Sequence, residues 1–219
     1  MKCHVVWKRL CVVIAVLLPV VTATGCLRNL LLWPILLVSG GPKVDAEYDG
    51  LEDQRVAVVC ISSLSTYGPD STTDVLAREI QSILAKRVDD IKFVDRQAIH
   101  KWTDTHEWNQ DDYRKLGREV GADMVLAIEL TSYSLHAGQT LYQGKADINV
   151  SVFDMTNRGK KVYQQDISDY RFPAHSPTPT IGLPQPQFER MFIQTLAREI
   201  GNLFHDYELP TRFARDGTF

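Results

Sequence analysis

The sequence predicts a mixed α/β domain with about five strands in one mixed sheet and three to four helices. Two continuously apolar segments, Arg55 to Ile61 and Met124 to Leu130, predict strands that are covered on both faces. Helical patterns with apolar residues on one face lie between them. After the second of these strands the pattern changes to strict alternation, which predicts an antiparallel hairpin with one face in water. The predicted order is strand-helix-strand-helix-strand, then the hairpin and a C-terminal helix.

The first strand and the first helix are separated by a polar loop. Arg55 to Ile61 is rich in β-branched residues, and Ser62 to Asp70 is rich in serine and contains a Gly-Pro pair. Ser71 and Asp74 are spaced as in a capping box, which predicts that a helix begins there. The residues that share its apolar face are Val75, Leu76, Ile80, Ile83, Leu84 and Val88.

Two short elements and a second helix lead to the next buried strand. Ile91 to Val94 predicts a short strand, and Gln97 to Trp102 a short helix or turn. The second helix begins near Asn109 and ends at Gly121, since glycine suits the left-handed position after a helix. The apolar segment from Met124 to Leu130 then follows as a strand.

The second half predicts a hairpin, a loop and a final helix. Lys145 to Asp154 alternates strictly between apolar and polar residues, Asn157 to Gly159 forms a tight turn, and Lys161 to Tyr170 returns as the partner strand. Phe172 to Pro186 contains five prolines and predicts an irregular loop. A helix from about Gln187 to Tyr207 places five apolar residues at a spacing of four, namely Phe188, Phe192, Leu196, Ile200 and Phe204.

The N-terminus has the pattern of a secretion signal. The basic residues of its first part are Lys2, Lys8 and Arg9. An apolar stretch from Leu10 to Val21 follows, and then the small residues Thr22 to Gly25 directly before Cys26. This pattern resembles the bacterial lipobox, in which the signal is cut before the cysteine and the thiol carries a lipid such as a palmitoylated diacylglycerol. We therefore expect residues 1–25 to be a lipoprotein signal peptide and Cys26 to be the site of lipid attachment, with no other cofactor.

The alternative to a cleaved signal peptide is an uncleaved membrane helix over residues 10–38. The protein would then be a sensor anchored by that helix. Arg28 would then lie near the middle of the bilayer, where a charge costs about 2.5–3.5 kcal/mol. The apolar run from Leu30 to Val38 spans only about 14 Å as a helix, which is too short to cross alone. We expect residues 26–54 to be a lipid-anchored apolar segment and tether, 55–209 a single α/β domain, and 210–219 a tail.

Charge and cysteine content limit the class of protein further. The net charge is −3 and no basic cluster is present, so nucleic-acid binding is not expected. The chain has four cysteines, of which Cys3 and Cys11 leave with the signal and Cys26 is acylated. Cys60 then stands alone in an apolar strand, which indicates export without disulfides.

Five segments resemble the α/β domain shared by the curli-secretion lipoprotein CsgG, the N-terminal domain of TolB and the lipoprotein LpoB. They are RVAVVCISSL, LAREIQSILAKRV, IKFVDRQAI, YRKLGREVGADMVLAIELTSY and INVSVFDMTNRGKKVYQQDI. The motif positions are Val94 to Arg96, Gly121 to Asp123, and Asp154 to Gly159, within a match from about Arg55 to Asp169. These motifs mark turns and packing, so the resemblance implies the fold more directly than a function.

The resemblance also limits the functions to expect. This chain lacks the β-propeller of TolB and the pair of long inserted hairpins with which CsgG-type channels build a barrel. The resemblance therefore implies a non-catalytic assembly, scaffold or regulatory subunit of an envelope secretion, export or cell-wall machine. Its expected partners are the membrane, other envelope proteins and further copies of the chain. Leu27 after the cysteine resembles sorting to the outer rather than the inner membrane, facing the periplasm.

Candidate binding residues lie in two places. Trp102, His106 and Trp108 form a polar-aromatic stretch suited to a partner. Pro177 and Pro179 belong to the proline-rich segment, which suits an extended binding arm.

A periplasmic hydrolase is the rival interpretation. It would use His100, His106 or one of the loop serines Ser62, Ser63 and Ser65. The sequence contains no G-x-S-x-G elbow, and His100, Asp104 and His106 fit no zinc spacing. We therefore expect no catalytic and no metal site.

Overall fold

The computed structural model describes residues 43–62, 71–106 and 112–209. The chain divides into two compact units, of which the larger runs from Asp45 to Tyr207. The predicted signal peptide, Cys26, most of the tether, Trp108 and the tail lie outside the described residues. In the part of the chain that is described, no helix combines the length and the apolar character that crossing a bilayer requires.

Eight strands and four helices are described. The strands are β1 (Lys43–Val44), β2 (Arg55–Ser62), β3 (Lys92–Phe93), β4 (Met124–His136), β5 (Leu141–Asp154), β6 (Lys160–Phe172), β7 (Thr178–Pro179) and β8 (Tyr207–Glu208). The helices are α1 (Ser71–Arg87), α2 (Arg96–Thr105), α3 (Asp112–Glu119) and α4 (Gln185–Gly201). Strands β1 and β8 form a small sheet of their own.

The main sheet is mixed, as predicted, and has six strands. Its order is β3-β2-β4-β5-β6, and β7 pairs with the beginning of β5. Strand β2 lies parallel to both β3 and β4, whereas β4, β5 and β6 form an antiparallel meander. The predicted fold class is therefore confirmed, with one strand more than the predicted five.

Helices cover both faces of the sheet, but not to the same extent. Helices α1 and α4 pack on one face, where their apolar residues form the larger core with β2, β4 and β5. The predicted apolar residues of the C-terminal helix are buried there, including Phe188, Phe192 and Phe204. Helices α2 and α3 pack on the other face, against Ala57 and Val59 of β2 and their neighbours in β4. The polar side chains of β5 and β6 on this second face line a groove instead.

The central strands are longer than the apolar segments that predicted them. Strand β4 continues from Leu130 to His136, and β5 begins at Leu141 rather than at Lys145. The β4 extension is at least partly exposed except at Leu135, whereas Tyr142, Gln143 and Gly144 of the β5 extension are buried. The hydrogen-bonded ladder between the two extensions satisfies their backbone groups. The result is a β4–β5 hairpin that projects beyond Ser62, the last residue of β2, which pairs with Leu130.

The C-terminal part differs from its prediction in two respects. Helix α4 ends at Gly201 rather than at Tyr207, and the chain then turns so that the Phe204 amide bonds to the carbonyl of Gly201. The segment predicted as an irregular loop contains β7, which pairs with Leu141 and Tyr142 of β5. The prediction missed β7 because its two residues, Thr178 and Pro179, carry no apolar pattern.

Candidate functional site

The proline-rich segment forms an ordered arm at the far end of the β4–β5 hairpin. We call residues 173–184 the proline arm. Its strand β7 pairs with β5, and beyond it the Thr180 amide bonds to the carbonyl of Thr140 at 3.0 Å. The Leu183 amide then bonds to the carbonyl of Thr180 at 3.3 Å, which closes a turn in which Gly182 has a φ of +83°. Glycine is favoured at this φ because a Cβ would clash with the backbone.

The turn presents one apolar side chain to solvent. Ile181 is 92% exposed and lies between Thr180 and Gly182 in this turn. Its backbone is fixed by hydrogen bonds on both sides, so little conformational entropy remains to be lost on binding. Pro179, a predicted binding residue, is exposed beside it, and Pro177 is half-buried. The arm therefore offers a preorganised apolar contact.

Aromatic packing holds both ends of the proline arm. Phe172 precedes the arm, and its ring lies 5.9 Å from that of Phe188 in α4. The Phe188 ring also stacks on Tyr142 of β5 with the centroids 4.8 Å apart. The Gln143 amide bonds to the carbonyl of Pro173 at 3.3 Å. The arm is consequently attached to the core at its start and its finish.

The open face of β4–β6 forms a polar groove of about 590 Å³. Glu129, Asn149 and Asp166 lie side by side on the three strands across its floor. At one end Tyr113 of α3 donates its hydroxyl to Glu129 at 2.8 Å. Lys161 lies 5.5 Å from the centre of the Phe153 ring. Hydroxyl, amide and charged groups alternate along the groove, as on the solvated face of an antiparallel sheet.

A charged cluster joins α1 to α2. The carboxylate of Asp74 in α1 accepts a bond from the Arg96 guanidinium in α2 and lies 2.9 Å from Nε2 of His100. These helices follow the adjacent parallel strands β2 and β3 and lie on opposite faces of the sheet. The cluster thus lies beyond the carboxyl ends of two adjacent parallel strands, the side of the sheet on which α/β folds bind ligands. It was not predicted, because its members come from different helices.

The predicted polar-aromatic patch is partly buried. Trp102 is only 5% exposed, and its indole N–H donates to Glu119 of α3 at 2.9 Å. His106 is exposed and its ring stacks on Trp102 with the centroids 4.2 Å apart. Of this patch, His106 is therefore the described side chain that solvent reaches, whereas Trp108 lies outside the described residues. The binding role of these residues stays a prediction.

The two histidines of the hydrolase interpretation have different surroundings. His100 lies within α2, whereas His106 follows the end of that helix with an extended backbone. His100 contacts Asp74, whereas His106 stacks on Trp102. Ser63 and Ser65 lie outside the described residues. Within residues 43–62, 71–106 and 112–209, no three His, Cys, Asp or Glu side chains are grouped to hold a metal ion.

At the opposite end of the sheet, aromatic side chains hold the segment that begins the larger unit. The Glu47 and Tyr48 amides both bond to the carbonyl of Leu203, just after α4. The Tyr163 hydroxyl of β6 donates to Glu47 at 2.8 Å, and the Tyr48 and Tyr163 rings lie 5.3 Å apart. Burial, together with the bond to Glu47, raises the pKa of Tyr163 well above its usual value. The phenol therefore stays protonated and keeps donating to the carboxylate at a pH where an ordinary tyrosine ionises.

The fold is similar to that of several bacterial proteins of known structure, lipoproteins among them. Lipoprotein GNA1162 from Neisseria meningitidis is 17% identical, with 68% of this chain and 98% of that chain covered and a TM-score of 0.41. A PelC dodecamer from Paraburkholderia phytofirmans is 12% identical, with 76% of this chain and 95% of that chain covered and a TM-score of 0.42. The C-terminal domain of LpoB from Salmonella enterica is 12% identical, with 56% of this chain and 89% of that chain covered and a TM-score of 0.36. At these values the likeness does not define a function.

No protein-family model matches the chain, and no curated protein matches it.

Proposed function

We propose that this chain is a lipid-anchored protein of the bacterial cell envelope that acts by binding another envelope protein through its proline arm. In this proposal it belongs with the CsgG, TolB N-terminal and LpoB domains and serves as a non-catalytic assembly, scaffold or regulatory subunit. The observation that carries the binding role is Ile181, which is 92% exposed on a turn closed by backbone hydrogen bonds. The lipobox-like sequence ending at Cys26 supports the anchor and a location facing the periplasm.

Exposure of the Ile181 side chain to water is unfavourable, and a partner that buries this side chain would remove that cost. Burying an aliphatic side chain of this size in a complex contributes about 1.5–3 kcal/mol. Single exposed apolar residues are common on surfaces, but here the backbone on both sides is also fixed. A rigid turn lowers the entropy cost of binding, so one side chain can act as an anchor residue. We expect its partner to offer an apolar pocket.

Photo-crosslinking in cells tests the binding role. A photoreactive phenylalanine analogue is placed at position 181 of the full-length chain, and the same analogue at Leu209, which is 42% exposed, serves as the matched control. We expect an adduct of defined mass from position 181 and none from position 209. The partner identified in this way should bind Ile181→Asp at least about tenfold more weakly than the wild type. Equal adducts at both positions, or unchanged affinity, would refute the role of Ile181.

The anchor is tested separately by intact mass of the membrane-extracted protein. We expect a chain that begins at an acylated Cys26, and loss of the acyl mass in Cys26→Ser. A chain that retains residues 1–25 would refute the lipoprotein part of the proposal and favour the helix-anchored sensor. It would leave the result at Ile181 unaffected, so the two parts can fail independently.

A further inference from the structure

Strand β6 is a long edge strand of the main sheet. It has 13 residues and pairs with β5 along one side. In the described part of the chain no strand pairs with its other side. An edge strand of this length presents a row of N–H and C=O groups that another strand can bind.

Two β-bulges divide β6 symmetrically. Val162 is an extra residue between Lys161 and Tyr163, which pair with Phe153 and Val152. At the other end, Ser168 and Asp169 together lie opposite Asp147, and Asp169 has a φ of +53°. Between the bulges, Tyr163 to Ile167 pairs with β5 in regular register. The centre of this five-residue stretch is Gln165, and one bulge lies on either side of it.

The charges that flank the regular stretch of β6 differ in sign on the two sides of Gln165. Lys160 and Lys161 precede the stretch, whereas Asp166 and Asp169 lie after Gln165. Asp169 also accepts two bonds from Arg171 near the end of the strand, so its side chain is held in place. Lys161 and Asp169 are each four residues from Gln165. If two copies of β6 run antiparallel about Gln165, Lys161 of each copy therefore lies opposite Asp169 of the other. This register therefore places two pairs of opposite charges symmetrically about the two-fold axis.

The apolar residues of the stretch also match. Tyr163 and Ile167 each lie two residues from Gln165 and are half-buried against the larger core. In the same antiparallel register, Tyr163 of one copy lies opposite Ile167 of the other on the core side of the sheet. Pairs of an aromatic and a β-branched residue are favourable across strands. Charge, apolar matching and bulge positions therefore specify the same two-fold axis.

We propose that the chain forms a homodimer in which β6 pairs with β6 of a second copy, antiparallel and centred on Gln165. The two sheets then continue into one another, and the bulges limit the pairing to Tyr163–Ile167 in each copy. The short interface makes the dimer sensitive to the flanking charges. Confinement of both copies to one membrane would raise their effective concentration and favour the dimer. This interface is separate from the proline arm.

Charge reversal tests the register. The full-length protein in detergent micelles is examined by analytical ultracentrifugation as wild type, Lys161→Asp and Asp169→Lys. Each variant places two like-charged pairs in its own homodimer, so we expect association to weaken by about fivefold or more. In an equimolar mixture, a heterodimer has opposite charges at both positions and should regain wild-type affinity. A folding defect cannot produce this rescue.

Disulfide trapping provides an independent measurement that does not alter the charges. Gln165→Cys, in a Cys60→Ala background, places two thiols opposite each other at a Cα separation of about 4.5–5.5 Å. We expect a disulfide-linked dimer from Gln165→Cys and little from Lys160→Cys, whose opposite residue would be Tyr170. A wild-type chain that stays monomeric, a mixture that is no tighter than its components, or equal trapping at positions 160 and 165 would each overturn the proposal.

Discussion

Replacing Gly144 with alanine is expected to destabilise the protein because the core has no space for a methyl group there. A Cβ at position 144 would lie 2.5 Å from two carbons of the Phe192 ring, which is closer than nonbonded carbons approach. The ring cannot easily move away, since Phe192 is fully buried and lies within 6.4 Å of the Tyr133, Tyr170 and Phe172 rings. Overpacking of this kind costs about 1–3 kcal/mol.

Urea denaturation of Gly144→Ala, Phe192→Leu and the double variant measures this contact. The smaller leucine leaves room for the alanine methyl, so the double variant should be more stable than the sum of the single effects by about 1 kcal/mol. The denaturant slope should stay constant across the set, which shows that the same cooperative unit unfolds. Additive effects, or a Gly144→Ala variant within about 0.5 kcal/mol of wild type, would contradict the packing described for α4 on β5.

Two further predictions concern polar groups that the fold partly buries. Burial raises the pKa of Tyr170 above its ordinary value, so its contribution to the free energy of unfolding is present below about pH 10 and is lost as the pH rises beyond it. Tyr170→Phe should therefore flatten the loss of stability between about pH 10 and 11, and an equally steep loss in this variant would contradict the assignment. Trp102→Phe removes the bond to Glu119 and should lower the free energy of unfolding by about 1–2 kcal/mol in urea denaturation. Glu119→Gln keeps an acceptor and should cost less, whereas equal costs would show that the hydrogen bond is not what matters.

The sequence predicted the strands and helices whose residues face the core. Helix α4 is the clearest case, since four of the predicted apolar residues, Phe188 to Ile200 at a spacing of four, lie on one helical face, and that face is buried. The fifth, Phe204, is buried beyond the end of the helix. The limits of β4 and β5 could not be predicted in the same way. Beyond Leu130 most residues of β4 are at least partly exposed, and before Lys145 the buried residues Tyr142, Gln143 and Gly144 carry no alternating apolar pattern. The partner strand rather than a hydrophobic pattern therefore shows where the two strands extend.

The burial of Trp102 could have been inferred from the sequence. Its neighbours Lys101 and Asp104 are polar, which favoured the interpretation of a polar-aromatic stretch suited to a partner. Ile99, however, lies three residues before Trp102, so the two share one face of a helix. Both are buried on that face. The predicted short helix or turn from Gln97 to Trp102 already contained this pair, and a helix there implies that both residues face the core.

The candidate sites depended on long-range contacts and were harder to predict. Asp74 and Arg96 are 22 residues apart in sequence and meet only because α1 and α2 begin near the same edge of the sheet. Ile181 carried a weak local signal, since it is an isolated aliphatic residue before Gly182 in a proline-rich segment. That pattern predicts a turn, but only the pairing of Thr180 with Thr140 shows that the turn is held against β5.

The pairing of β5 places the exposed Ile181 and the segment that begins the larger unit at opposite ends of the sheet. Tyr163, which holds Tyr48 near the start of this unit, pairs with Val152, whereas Pro179 beside Ile181 pairs with Leu141. These two positions are eleven residues apart on β5, which corresponds to about 36 Å. The exposed isoleucine therefore lies at the opposite end of the sheet from the contact between Tyr48 and Tyr163. A partner bound there would contact the proline arm without covering that contact. A cross-link from position 181 to lipid instead of protein would contradict the proposed binding role of Ile181.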